Sequence, residues 1–507
     1  MGGQPSKSGV AGEDEKAISQ RLRSMGFPEE YDDVQGGMGS EKGGGRRPRR
    51  DAEPLPLDAV ALLPSCILKD AKNRLALAAL STADPRQALK SIPAQLTNQQ
   101  VFNIKIPFEG APIANQRSSG RCWLFASTNV FRVALMKKYR LDSFELSQAY
   151  LFYWDKLEKA NWFLEQAIDT ADEELEGRLV QTLMSDPSSD GGQWDMVYNL
   201  VDKYGLVPQA LYPDSWNAMN SGMLNIIVKN KLREFGLKLR KMAREGDQLP
   251  PAAFSGTKII MLREIQQILT LLLGPPPNPM HEFMWQYNDK DGKAQELTTT
   301  PRQFAKNIAS PEFRISSAVI ESMVSLVHDP RHEPLSRLTV SRLGNIVGGR
   351  GISYINVDMD TLKSTCVKMI KAGLPIFFGC DVGKFSDQAS GIMDTELFNY
   401  DIGLDTGLLG MTKAQRLRTG ESQMTHAMVL TAVHVDEETG KPVRWRVQNS
   451  WGTAPGDKGW FVMSDAWADE FVYQAVVDPR FCSKEVRDVL KKEPIVLPLW
   501  DPMGALA

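Results

Sequence analysis

The chain has 507 residues, 42% of them hydrophobic, and a formal net charge of −3. That length suits two to four domain-sized units with sizeable cores, and the near-balanced charge excludes a chain built globally to bind polyanions. No apolar run is long enough to cross a membrane: the densest, Ile265 to Leu273, is short and contains Gln266 and Gln267.

The start of the chain lacks a signal-peptide core. The five cysteines, Cys66, Cys122, Cys366, Cys380 and Cys482, are few, odd in number and widely spaced. This predicts a reducing compartment and argues against a disulfide framework. Residues 1–53 are rich in Gly, Ser, Pro and charge, and read as a disordered extension. Within them, Met1-Gly2-Gly3-Gln4-Pro5-Ser6 fits the loose N-myristoylation pattern, which many unmodified chains also match. Arg46-Arg47-Pro48-Arg49-Arg50 reads as a solvated basic linker, with nuclear import or nucleic-acid contact as the alternative.

From Leu55 to about Ala94 the pattern is helical, and Val101 to Phe108 alternates as a strand. The polar turn Ser118-Ser119-Gly120 then gives way to a helical pattern from Trp123 to Tyr139, so Cys122 falls near a helix N-terminus. A second helix is expected from about Ser147, with helical density to Met184. The loop Asp186 to Gln193 follows, its paired Gly191 and Gly192 fitting either a plain turn or close approach of a ligand backbone. Trp194 to Tyr204 reads as a helix stopped by Gly205. Residues 220–246 form an amphipathic helix with the stripe Leu224, Val228, Leu232, Phe235, Leu239 and Met242. Its other face carries Lys229, Lys231, Arg233, Lys238, Arg240, Lys241 and Arg244, which fits a solvated face, a subunit contact or DNA or RNA binding. Later segments are strand-like: 354–357, 375–378, 427–435, 443–448 and 459–463. Helices first and strands later, without strict alternation, predict an α+β protein.

The chemistry centres on Cys122. A helix N-terminus favours negative charge, and the thiolate is the nucleophilic form of cysteine. A lone cysteine is more often inert and buried, so partners decide. Of the histidines His281, His328, His332, His426 and His434, only His426 stands at the mouth of a strand, where its backbone is held. His434, at an even offset, would share its sheet face about 26 Å away. Asn449, in Gln448-Asn449-Ser450-Trp451-Gly452, follows another strand; it can accept from the imidazole, and Trp451 can shield that bond from water. Gln116 is placed to donate to an oxyanion beside the Cys122 N–H. Nucleophile, base, orienter and oxyanion donor are the parts that covalent acyl transfer needs.

Gln-x5-Cys-Trp, a late Thr-His-Ala and Asn-Ser-Trp-Gly resemble the papain-like cysteine peptidases. Residues 115–126, 377–384 and 499–507 resemble the bleomycin hydrolase branch of that family, from about residue 55 to the end. Secreted papain relatives carry a disulfide cysteine three positions before the nucleophile, where this chain has Ser119; this fits the intracellular branch. The resemblance implies a papain-like fold with helical insertions and a C-terminal arm entering the cleft. It implies Cys122 as nucleophile, His426 as base and acid, Asn449 as orienter and Gln116 as oxyanion donor. Gly191 and Gly192 would line the substrate backbone, and the carboxylate of Ala507 would receive the substrate ammonium. It further implies a homohexamer with inward-facing sites, no metal or organic cofactor, peptide substrates trimmed from the N-terminus, and hydrolysis of bleomycin and homocysteine thiolactone. The compartment expected is the cytoplasm, with a mitochondrial pool admitted.

The expected divisions are a 1–53 extension, a 54–205 helix-rich half with the nucleophile and a 206–345 helical insertion. A 346–480 strand-rich half with His and Asn and a 481–507 arm complete them. Two other readings use the same residues: a nucleic-acid-binding scaffold on an inactive protease fold, and a Cys-dependent acyltransferase.

Overall fold

The computed structural model describes residues 54–245, 251–306 and 322–505. The N-terminal signals and Ala507 lie outside the described residues. Residues 54–89 with 400–407 form one compact unit, and 90–399 with 408–505 form the other. The smaller unit holds helices Leu57–Ile67, Ala71–Leu80, Pro85–Ala88 and Tyr400–Leu404. Asp70 and Asp84 cap two of them by accepting from the Lys72 and Arg86 N–H groups at 2.7 and 2.9 Å. Lys72 pairs with Asp405 at 2.8 Å.

In the larger unit the strands are β1 (Ile104–Lys105), β2 (Phe283–Asn288), β3 (Ala294–Thr299), β4 (Val324–Val327), β5 (Arg337–Val340), β6 (Tyr354–Asn356) and β7 (Ile376–Cys380). After them come β8 (Ser386–Asp387), β9 (Ile392–Met393), β10 (His426–Val435), β11 (Pro442–Gln448), β12 (Trp460–Ser464), β13 (Val472–Val477) and β14 (Ile495–Leu497). Among the described residues β2 and β3 form a hairpin and the other twelve share one sheet, in the order β14-β5-β6-β4-β13-β7-β10-β11-β12-β9-β8, with β1 also on β10. The fold is α+β, as expected: helices dominate before Gly274 and the large sheet follows.

Several differences from the sequence reading have physical causes. Only Ile104–Lys105 of the 101–108 stretch is strand, because the polar residues around it pair elsewhere: Asn103 Nδ2 donates to Val435 O at 2.7 Å. Residues 206–345, expected as a helical insertion, do hold long helices at Gly222–Glu245 and Pro251–Leu273, but also β2 to β5. β4 is buried on both faces and buries Ser325 along with Val324, Leu326 and Val327, so residue polarity does not mark an inner face. β10 has a register shift between Leu430 and Ala432, so the extra residue breaks the alternation that would have put His434 on the face of His426.

The 222–245 helix buries Leu224, Val228, Leu232, Phe235 and Leu239, as its stripe predicts. Its basic face is engaged rather than free. Arg240 and Arg244 donate to the carbonyls of Thr170, Ala171 and Glu173, just beyond the end of helix Gln148–Asp169. Arg233 does the same for Met184 and Ser185 at the end of helix Arg178–Ser185. Lys229 pairs with Asp186, and Lys231 and Lys238 share Glu234. Cations belong at helix C-termini, where carbonyls lack intrahelical partners.

Candidate active site

The helix Cys122–Lys138 begins on the cysteine itself, with Arg121 at the N-cap and no side chain capping it. Its first turn therefore keeps unpaired N–H groups. The backbone N–H groups of Cys122, Trp123 and Ala427 all bear on the Cys122 sulfur. Ala427 follows His426, so the start of β10 lies against the helix start.

β10 runs between β7 and β11; His426 faces Cys380 of β7 in register, and Val429 faces Gln448 of β11. That antiparallel register carries Asn449, just past β11, alongside the start of β10. His426 Nε2 and Asn449 Oδ1 are 2.9 Å apart. Asn449 Oδ1 also accepts from the Ser450 N–H at 2.8 Å, which fixes it as the acceptor. A neutral His426 must then carry its proton on Nε2, leaving Nδ1 as the basic nitrogen. Trp451 covers the ring, with centroids 4.9 Å apart. Cys122, His426 and Asn449 are 2%, 4% and 1% exposed, so the three lie in a dry site.

Burial pushes the Cys122 thiol up to about 11, against the pull of the three N–H groups. It also pushes the His426 imidazole down to about 4, against the bond to Asn449. The ionisation that a helix N-terminus favours is therefore opposed in this closed cleft, because desolvation disfavours either charge alone. A thiolate–imidazolium pair forms here only through the mutual attraction of its charges, which is strongest in a dry site.

Gln116 is tied into both walls. Its N–H donates to Ser450 O at 2.8 Å, and its side-chain Oε1 accepts from Ser450 Oγ at 2.6 Å. One Nε2 proton goes to Ser119 O at 2.7 Å. An amide has two such protons, so the second is left for a ligand.

The loop from Asp186 to Gln193 lies against the helix start. Gly192 packs on the Trp123 ring, where an added Cβ would come within 2.6 Å of ring carbons. Packing alone thus requires glycine at 192. Gly191 O accepts from Lys159 Nζ at 2.6 Å. At the loop's end Gln193 Nε2 donates to Ala505 O at 2.7 Å, so the last described residue of the arm reaches the glycine loop. A cleft of about 480 Å³ is lined by Lys159, Phe163, Asp186, Gln423 and Thr425 together with arm residues Leu499 to Asp501. The arm is held by Arg331, which donates to Asp501 at 2.7 and 3.1 Å, and by Tyr354 OH, which donates to Met503 O.

His281, His328, His332 and His434 do not join this group. His328 is half-buried elsewhere, its imidazole lowered by burial to about 4, and His332 lies 3.8 Å from Asp329. Sequence reasoning missed Ser450 as the partner of Gln116, and it missed Asp190 and Lys156 behind the nucleophile loop. Nothing in their spacing links residues 156, 190 and 120. Among the described residues no cluster suited to holding a metal ion occurs.

Residues 55–504 match the model of the Peptidase C1-like family. The chain is 43% identical over 415 residues to bleomycin hydrolase of Homo sapiens, covering 81% of this chain and 89% of that protein. It is 42% identical over 445 residues to cysteine proteinase 1, mitochondrial, of Saccharomyces cerevisiae, covering 86% and 90%. The crystal structure of PepW from Lactobacillus rhamnosis HN001 superposes with a TM-score of 0.84 at 37% identity, over 90% of this chain and 99% of that one. The chain therefore belongs to the Peptidase C1-like family of cysteine peptidases, as a homologue of the bleomycin hydrolases.

Proposed function

We propose that the protein is a cysteine aminopeptidase acting through an acyl-enzyme on Cys122. The observation that carries this reading is the His426–Asn449 hydrogen bond beside a cysteine whose sulfur meets three backbone N–H groups. In this mechanism His426 Nδ1 takes the thiol proton and the sulfur attacks the carbonyl of the first peptide bond. The oxyanion is held by the Cys122 N–H and the second Nε2 proton of Gln116. The imidazolium returns its proton to the leaving amine, which departs as the C–N bond breaks. His426 then deprotonates water, which attacks the thioester and frees the amino acid and the thiol. Asn449 holds the ring in the tautomer this sequence needs.

Exopeptidase action is supported by the arm. Ala505 already lies at Gln193, and two further residues span about 7 Å at full extension. In this reading the Ala507 carboxylate receives the substrate ammonium, which a carboxylate attracts strongly in a dry cleft. Gly191 and Gly192 line the substrate backbone in this reading. The same acyl chemistry extends to bleomycin and homocysteine thiolactone. We further propose a homohexamer resident in the cytoplasm, with functional divisions at 54–205, 206–345, 346–480 and 481–507.

The test is hydrolysis of a dipeptide amide with a free or blocked amino terminus. The free-amino substrate should be cut, Cys122→Ala should abolish cutting, and deleting Ala507 should open cleavage of the blocked one. Retained activity in Cys122→Ala would end the acyl-enzyme account. Indifference to the Ala507 deletion would end the carboxylate account. Product analysis with water as sole acceptor separates hydrolysis from acyl transfer to amines.

A further inference from the structure

Behind the nucleophile loop lies a carboxylate that the mechanism above does not use. The Asp190 side chain is 9% exposed, and that of Lys156, its ion-pair partner at 2.7 Å, is fully buried. Its Oδ2 accepts from the Gly120 N–H at 3.2 Å and from Ser221 Oγ at 2.5 Å. Its backbone carbonyl accepts from Trp123 Nε1 at 2.7 Å. Two of its hydrogen-bond partners, Gly120 and Trp123, flank Arg121 and Cys122. From the helix Gln148–Asp169, Lys156 in turn holds the carbonyl of Ser188, and Lys159 those of Ser189 and Gly191.

The fit leaves little play. A Cβ on Gly120 would come within 2.8 Å of Asp190 Cβ, so the Gly120 backbone packs directly against the Asp190 side chain. The Lys156 ammonium and the hydrogen bonds hold the Asp190 carboxyl far below the usual carboxylate range, despite its burial. It is therefore an anion at neutral pH and well below it.

We infer that Asp190 is a positioning residue: by holding the Gly120 N–H and the Trp123 indole it sets the peptide that presents the Cys122 N–H to the oxyanion. The inference rests on the reading of Cys122 as the nucleophile. It concerns where a donor points, so geometry and not charge must matter.

Two variants of the full-length chain separate these. Asp190→Glu keeps the charge and its pairing with Lys156, but moves the carboxylate by one methylene. The double variant Lys156→Met with Asp190→Asn removes both charges together and keeps an acceptor oxygen at the native distance. The probe is an amino-acid aldehyde, whose addition product with the cysteine sulfur carries an oxygen at the oxyanion position. Alkylation by iodoacetamide, which forms no oxyanion, reports whether Cys122 is intact and accessible.

The Glu variant should lose about tenfold or more in aldehyde affinity and in kcat, with alkylation within about threefold of the parent. The double variant should lose clearly less aldehyde affinity than the Glu variant. Equal or greater loss in the double variant would overturn the inference in favour of a role for the charge. A parallel fall in alkylation and aldehyde affinity in the Glu variant would overturn it in favour of a structural role alone. If the parent bound no aldehyde through Cys122, the peptidase reading would fail and this inference with it.

Discussion

The two walls of the cleft are built by different means. On one side His426 and Asn449 are set by strand register: β7, β10 and β11 fix them through repeated backbone hydrogen bonds. One carboxylate steadies the approach, Asp381, which accepts from Ser422 Oγ and Thr425 Oγ1. On the other side Cys122 and Gln116 sit on a helix start and a loop, backed by the glycine loop. There the ties are buried ions: Lys156 with Asp190, Lys159 with Asp155, and Arg121 with Asp214. A ladder distributes its energy over many backbone groups, so no single side chain carries it. A buried ion pair concentrates it, and losing one partner leaves the other charged and dry.

This contrast predicts unequal responses to comparable substitutions. Lys156→Met should destabilise the chain by about 3–5 kcal/mol in urea unfolding, because it strands the Asp190 carboxylate. A loss below about 1 kcal/mol would mean that water reaches Asp190 and that the two walls do not differ in kind. Gln116→Ala should lower kcat by roughly 10²–10³-fold, or about 2.7–4 kcal/mol, with KM little changed. A rise in KM alone would assign Gln116 to ground-state binding instead.

On the base wall the sharpest probe is pH. His426 has a folded pKa of about 4, below its ordinary 6.5, so the unfolded chain binds the proton more readily between those values. The stability it contributes is complete above about pH 6.5 and is lost as pH falls toward 4, by about 3 kcal/mol in total. His426→Gln should make that acid limb shallower in unfolding measured from pH 7 to 4, leaving the share of His328, whose imidazole is also lowered to about 4. An unchanged slope would place its origin in other groups. The smallest effect is expected for Asp381→Asn, at about 1 kcal/mol or less. Burial already raises this carboxyl, and the amide oxygen can still accept from Ser422 or Thr425. A cost as large as that of Lys156→Met would erase the distinction between the walls.

Local pattern determined much of this protein. The stripe from Leu224 to Leu239, the helix closed by Gly205 and the strands at 376–380, 426–435 and 442–448 all follow from residue spacing. At Gly205 a positive φ of 76° and a backbone contact with Pro301, within 2.2 Å of an added Cβ, explain why only glycine serves. The candidates Cys122, His426 and Asn449 were legible because each stands at an element's end, where sequence punctuation is strongest, whereas Gln116 lies in the loop before the Cys122 helix.

Other features were decided only by tertiary structure. Strand β4 is buried on both faces, its polar Ser325 included, so its place beside β13 and β6 could not be read from residue polarity. The basic residues at 233, 240 and 244 look like a solvated or nucleic-acid face in one dimension, and in three they satisfy the ends of two other helices. The pairing of Lys156 with Asp190, and the protonation that burial favours at Cys122 and His426, depend on how much water the folded chain removes. Periodicity records which face of an element turns inward, whereas desolvation and long-range charge pairing arise only once distant segments pack against each other.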